Sequence, residues 1–233
     1  MKDSEQRVHL SLGSHGAEDV AKIPSIHQSV LAFFSIDPRV RNLYFLESFG
    51  VDSNRAENLQ KRARRDSHFA ITLKANLGEG VAIEDVEDFR SYIAQGRFPP
   101  YAQTDNESTL FSLAHANMLD EVAKSRRFEA VWEAYDPSVM RVLNRQLSEH
   151  STYDRRLYEA VQAENFESAL DNYQLSRAQY RAFQNTRDRS ISRTVTDTLR
   201  RANKAGVSVA YFIRLGEQHR FVADYISDIL GKK

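Results

Sequence analysis

Residues 207–219 read VSVAYFIRLGEQH, and they decide the fold. Val207, Val209, Tyr211, Phe212, Ile213 and Leu215 put β-branched, aromatic or aliphatic side chains on both faces of an extended chain, as in a largely buried strand. Ala205-Gly206 closes a helix before it, and Gly216-Glu217-Gln218-His219 turns the chain after it. Phe221, Val222, Tyr225, Ile226, Ile229 and Leu230 then stripe a final helix. Tyr225, Ile226 and Ile229 are predicted to dock that helix on the sheet.

The chain opens with the same grammar. Val8, Leu10 and Leu12 alternate with His9 and Ser11, giving a short strand over 8–12 that stops at Gly13-Ser14-His15-Gly16. From Pro24 onward, Ile26, Val30, Phe33 and Phe34 recur at helical spacing, and Asp37-Pro38 lies beyond the helix end. Leu43-Tyr44-Phe45-Leu46 is a second apolar run, closed by Glu47. Strand, helix and strand in succession form a βαβ unit, which implies parallel pairing.

Between these ends the chain reads almost entirely as helix. Val86, Phe89 and Ile93 keep the three-and-four spacing, as do Leu110, Leu113, Ala114 and Met118 after Asn106. Phe166, Ala169, Leu170 and Tyr173 mark another helix; Ile191, Val195 and Leu199 mark the next. Breaks are expected near Gly78 to Gly80, at Phe98-Pro99-Pro100 and at Asp136-Pro137. The predicted fold is α/β. A small, mostly parallel sheet is formed by the N- and C-terminal βα units, with a large helical insertion at about 54–203 in a single domain spanning 1–233.

Composition narrows the chemistry. Lysine plus arginine and aspartate plus glutamate number 32 each, so no overall field draws nucleic acid or an anionic membrane. There is no cysteine, which excludes disulfides, thiolate metal sites and thiol nucleophiles. No apolar run approaches the roughly 20 residues a spanning helix needs. The start of the chain is polar, so a cytoplasmic location is expected by default. The basic cluster from Lys61 to Arg65 reads as a solvated helix face, and His68 follows it. His115 reads as a partly buried, satisfied histidine. His27 and His150 show no neighbouring constellation. Gly-rich phosphate loops, nucleophile elbows and His-Glu-x-x-His helices are absent.

Loops at the carboxyl ends of parallel strands share one edge, where ligand sites form. Three strands end in chemistry-bearing residues: His15, Glu47 and His219. A lone histidine after a strand is ordinarily a turn residue. Here glycine followed shortly by histidine closes strands at both ends of the chain, and glycine allows the sharp turn and the close approach of a ligand. Two imidazoles and a carboxylate suit a divalent transition metal such as Mn, Co, Zn or Fe.

Gly216 to His219 after a buried strand, preceded by Arg187-Asp188, resembles the C-terminal signature of the TraB/TIKI and EreA/ChaN-like superfamily. Leu12-Gly13-Ser14-His15 and Leu46-Glu47 are similar to its earlier motifs, in the same order. The first motif is one residue shorter than the family's Gly-x-x-His. The resemblance implies a hydrolase that cleaves an ester or amide in a small-molecule or peptide substrate, with water activated by a metal or by a His/Glu pair. It implies His15, Glu47 and His219 as metal ligands, with Glu47, Arg187, Asp188 and His219 in catalysis. Arg187 would then face an oxyanion and Asp188 would orient His219. The alternative, favoured by the shortened motif, is a non-catalytic ligand- or protein-binding module on the same fold. Substrate identity and oligomeric state stay open.

Overall fold

The computed structural model describes residues 5–13, 17–47, 83–96, 106–133 and 137–231. The chain divides into two compact units. One comprises Met1–Ser67, Asn106–Tyr135 and Asp188–Lys233; the other comprises His68–Asp105 and Asp136–Arg187.

The first unit is built on four parallel strands, β1 (Gln6–Gly13), β2 (Arg41–Leu46), β3 (Glu129–Trp132) and β4 (Val209–Gly216), in the order β1-β4-β2-β3. Burial explains that order. Every residue of β4 is buried, so the most apolar strand takes a central place. The strand carrying His9 and Ser11, whose residues are mostly only partly buried, takes the edge. The opening strands are therefore parallel, as their βαβ pattern implies, but they do not pair: β4 lies between them.

Helices cover both faces. Tyr211, Ile213 and Leu215 pack with Ile191, Val195 and Ala202 of α5 (Phe166–Lys204) and with Val222 and Ile226 of α6 (Arg220–Gly231). Tyr44, Leu46 and Phe212, on the other face, meet Ile26, Val30 and Phe34 at the end of α1 (Ala17–Phe33), and Met118, Leu119 and Val122 of α3 (Asn106–Ser125). The second unit is helical, from α2 (Val86–Ala94), α4 (Pro137–Gln162) and the first part of α5, around Phe89, Leu157, Ala169 and Tyr173. Pro137 opens α4, where its missing N–H has no helical acceptor to lose. The expected breaks at 78–80 and 98–100 lie outside the described residues.

Four local expectations are corrected. Glu129–Trp132 is a strand within the stretch read as helix; four residues are too few to display a period of two. The first helix begins at Ala17 and carries Pro24 inside it. A proline there removes one backbone bond and crowds the preceding turn, yet buried Asp19 on one side and Ile26, Val30 and Phe34 on the other hold the helix through it. The segments marked by Tyr173 and by Ile191 are one continuous helix, α5, because no glycine or proline interrupts 166–204. In α6 the buried stripe is Val222, Ala223 and Ile226, while Tyr225 is 54% exposed and points away from the sheet.

Candidate functional site

Glu47 leaves the end of β2 directly, and His219 closes the 3-10 turn Glu217–His219 that follows β4. The two meet: His219 Nε2 lies 2.9 Å from Glu47 Oε1. The other carboxylate oxygen, Oε2, accepts the backbone N–H of Gly216 at 2.8 Å, so Glu47 is fixed at both oxygens. A Cβ at Gly216 would stand 3.3 Å from the Gln218 side chain, and absence of that atom lets the turn close over Glu47.

On its far side the imidazole reaches Asp188 Oδ1, 2.5 Å from Nδ1. Asp188 lies inside α5, which carries it over the sheet edge. His219 is completely buried, whereas the side chains of Glu47 and Asp188 are 9% and 19% exposed. Both neighbours are acceptors when ionised. The ring then satisfies both only while it carries two protons; with Nδ1–H kept for Asp188, loss of the other leaves Nε2 and Glu47 facing each other as acceptors, a pair able to take up one proton. Charge-assisted bonds of this kind are short and hold the imidazole in one orientation.

A second polar cluster flanks the same edge on the α1 face. Arg214, which points away from the Tyr211 row, forms a buried ion pair with Asp19 of α1, and Lys22 Nζ adds a 3.1 Å contact to the same carboxylate. Gly13 lies so close that a Cβ there would strike both the guanidinium and the Asp19 carboxylate. The guanidinium also stands 5.7 Å from the ring of Phe111. Nearby, Tyr44 Oη and His115 Nε2 are 2.7 Å apart. Burial pushes the Tyr44 phenol well above its ordinary range, with the Arg214 charge opposing. Glu133, just past β3, is a further buried carboxylate at this edge, its N–H donating to Leu46 O at 3.2 Å.

Of the residues singled out by sequence, Glu47, Asp188 and His219 are brought together. His15 lies outside the described residues, as do the 61–65 cluster and His68. Arg187 belongs to the helical unit, where it is 4% exposed with its guanidinium 5.8 Å from the Phe183 ring. Among the described residues no three histidine or carboxylate side chains are grouped so as to hold a metal. Glu47 and His219 Nε2 supply two adjacent donors, and Asp188 behind Nδ1 is the partner a metal-bound imidazole uses for orientation. A third protein donor would have to come from outside the described residues.

Sequence reasoning missed Asp19, Arg214 and Glu133. An arginine inside a buried strand was a legible signal, since such a charge requires a partner. It also missed the neighbours of His150. In the helical unit His150 Nδ1 bonds Ser176 Oγ at 2.9 Å, and Ser176 donates to Asp154. His150 Nε2 stands 3.4 Å from Asp154 Oδ2, out of hydrogen-bond alignment. The Asp154 carboxyl titrates above its usual range because it is buried, with the His150 charge and the Ser176 bond opposing. Set against protein-family models, curated proteins and solved structures, the chain finds no match.

Proposed function

We propose that the chain is a hydrolase of the TraB/TIKI and EreA/ChaN-like kind, cleaving an ester or amide bond in a small-molecule or peptide substrate. The observation that carries the reading is the His219 imidazole held between Asp188 and Glu47 at the carboxyl edge of a parallel sheet. Two carboxylates around one imidazole form a proton store. Asp188 keeps the ring oriented and its Nδ1 protonated, while Nε2 and Glu47 share or exchange the second proton.

Hydrolysis uses that store twice. An O–H bond of water breaks as its oxygen joins the substrate carbonyl carbon, and the proton passes to the Glu47–His219 pair. As the C–O or C–N bond breaks, the same proton goes to the leaving alkoxide or amine. If the family's metal is present, Glu47 and His219 Nε2 would hold it, with His15 as the third ligand that the resemblance implies. Such an ion supplies a Lewis acid and a more acidic bound water.

The test is turnover of a panel of p-nitrophenyl esters and dipeptide p-nitroanilides, with and without added Mn, Co or Zn, by the wild-type chain and by Glu47→Gln and His219→Gln. The expected result is release of p-nitrophenol or p-nitroaniline that both substitutions remove while circular dichroism is unchanged. One observation favours the binding-module reading instead: His219 is completely buried and both ring nitrogens already have partners. Under that reading no panel member turns over, and the two substitutions lower the melting temperature.

A further inference from the structure

Asp188 borders more than His219. Its partly exposed carboxylate is also on the wall of a groove of about 690 Å³ that runs between α5 and α6, from Asp188 to Arg200 along the first helix and from Phe221 to Tyr225 along the second. At a rise of about 1.5 Å per residue, the α5 wall extends roughly 18 Å away from Asp188. A volume of this size suits a small organic ligand rather than a single ion.

The two walls differ in chemistry. On α6, Phe221 is 81% exposed and Tyr225 is 54% exposed, and being four apart they share one side of the helix. Among the described residues, these are the only aromatics among the large hydrophobic side chains left exposed. Their α6 neighbours Val222 and Ile226 are buried against the sheet, so docking of the helix does not account for the aromatic pair.

On α5, Arg189, Arg193 and Arg200 line the opposite wall. Asp188 is committed to His219, so the wall's one remaining carboxylate is Asp197, which Arg200 approaches at 2.7 Å and Arg193 at 3.8 Å. Two guanidiniums share that single negative charge, and exposed Arg189 makes no ion pair among the described residues. The groove therefore offers an excess of positive charge facing two aromatic faces. An anion receives bidentate hydrogen bonds from such a wall, and a flat apolar group stacks on the other.

We propose that this groove is a ligand site beside the Glu47–His219–Asp188 cluster, on the Asp188 side of the imidazole, and that it selects small carboxylates bearing an aryl group. The ligand chemistry rests on the groove alone and stands apart from the hydrolase reading. The arrangement requires both halves of the ligand. A neutral aryl compound leaves the arginines unused, and an aliphatic carboxylate leaves Phe221 and Tyr225 exposed.

The experiment is a nuclear magnetic resonance titration of the full chain with N-benzoylglutamate, N-acetylglutamate and N-benzoylglutamine amide, alongside sedimentation velocity. N-benzoylglutamate should bind at least roughly tenfold more tightly than either control, and more weakly as salt rises. Arg189→Gln with Arg193→Gln should lose that preference for the anion, and Phe221→Ser with Tyr225→Ser the preference for the aryl group. His219→Gln should keep binding within about twofold while losing any turnover, separating this proposal from the hydrolase reading. Equal binding of the three compounds overturns the groove assignment and leaves the hydrolase reading standing. A dimer that Phe221→Ser converts to monomer, with no binding of N-benzoylglutamate, shows instead that a second copy covers this face.

Discussion

His219 and His150 present the same chemistry in two settings. Each is an imidazole buried beside carboxylate, yet the partners of His219 lie 172 and 31 residues away and come from a strand end and a separate helix. His150 meets Asp154 one helical turn along α4 and Ser176 across on α5. The first cluster sits at the carboxyl edge of a sheet and keeps a carboxylate 19% exposed. The second is sealed, with His150 and Ser176 at 1% and Asp154 at 4%. Ser176 also donates its proton to Asp154 rather than to the imidazole, which leaves its oxygen unactivated. A histidine, a serine and an aspartate in contact therefore do not make a catalytic site; the direction of the proton and a path to solvent decide it. Buried polar networks of the second kind specify how helices pack.

The largest expected effect breaks the comparison if it fails. His219→Gln should lower hydrolysis of whichever panel ester is turned over by about 10² to 10⁴, the usual worth of a positioned acid-base group. His150→Gln should leave the rate per folded molecule unchanged and lower the melting temperature instead. Measuring kcat together with the folded fraction from circular dichroism separates the two. Equal loss of kcat in both variants would mean that the two clusters act together.

Next in size is the framework that holds the sheet edge. Arg214→Met takes the guanidinium away from the buried Asp19 carboxylate, and breaking a buried pair on one side costs about 3 to 5 kcal/mol. Gly13→Ala forces a methyl group into the same pair and should cost about 1 to 3 kcal/mol. Urea unfolding with an unchanged slope checks both. If Arg214→Met is neutral, the ion pair is not what holds α1 against the end of β4.

These two settings were unequally legible in the sequence. The strands at the two ends showed themselves through Val8, Leu10 and Leu12 and through 207–215, because an apolar strand bounded by glycine has few other readings. Glu47 and His219 followed from the strands, since parallel strands bring their carboxyl ends to one edge. The central place of β4 did not follow; it depends on which strand gains most by burial on both faces, a comparison among strands rather than a local pattern. β3 was lost because Ala130, Val131 and Trp132 are too short a run to show a period. The His150 cluster was missed for another reason. His150 and Asp154 have the spacing of helical neighbours, but only tertiary packing supplies Ser176 and makes the pair a cluster.

A smaller effect sharpens the view of the sealed cluster. Burial raises the folded-state value of Asp154 above the ordinary carboxylate 3.8, so the folded protein holds a proton that the unfolded chain releases. Stability from this group is present below pH 3.8 and is lost as pH rises from there through the folded value. Asp154→Asn should remove that decline. Urea midpoints taken across acid to neutral pH give the test, and parallel profiles for wild type and variant would show that the carboxylate is already fully compensated by His150 and Ser176.

The smallest effect comes from a histidine outside both clusters. His9 stacks on Phe212 with ring centres 4.4 Å apart and stands 5.6 Å from Phe33, on the edge strand. Partial burial lowers its folded-state value below the ordinary 6.5, so the fold favours the neutral ring. The sign is opposite to that of Asp154. Stability is fully present above pH 6.5 and falls as pH drops from there through the folded value, because the unfolded chain takes up the proton first. Since the ring is partly open to water, the change should be slight and should vanish in His9→Phe, which keeps the stack. A wild-type profile flat between pH 7 and 5 with a sloping His9→Phe profile would reverse the assignment. It would place the acid sensitivity of the sheet unit in a different titrating group.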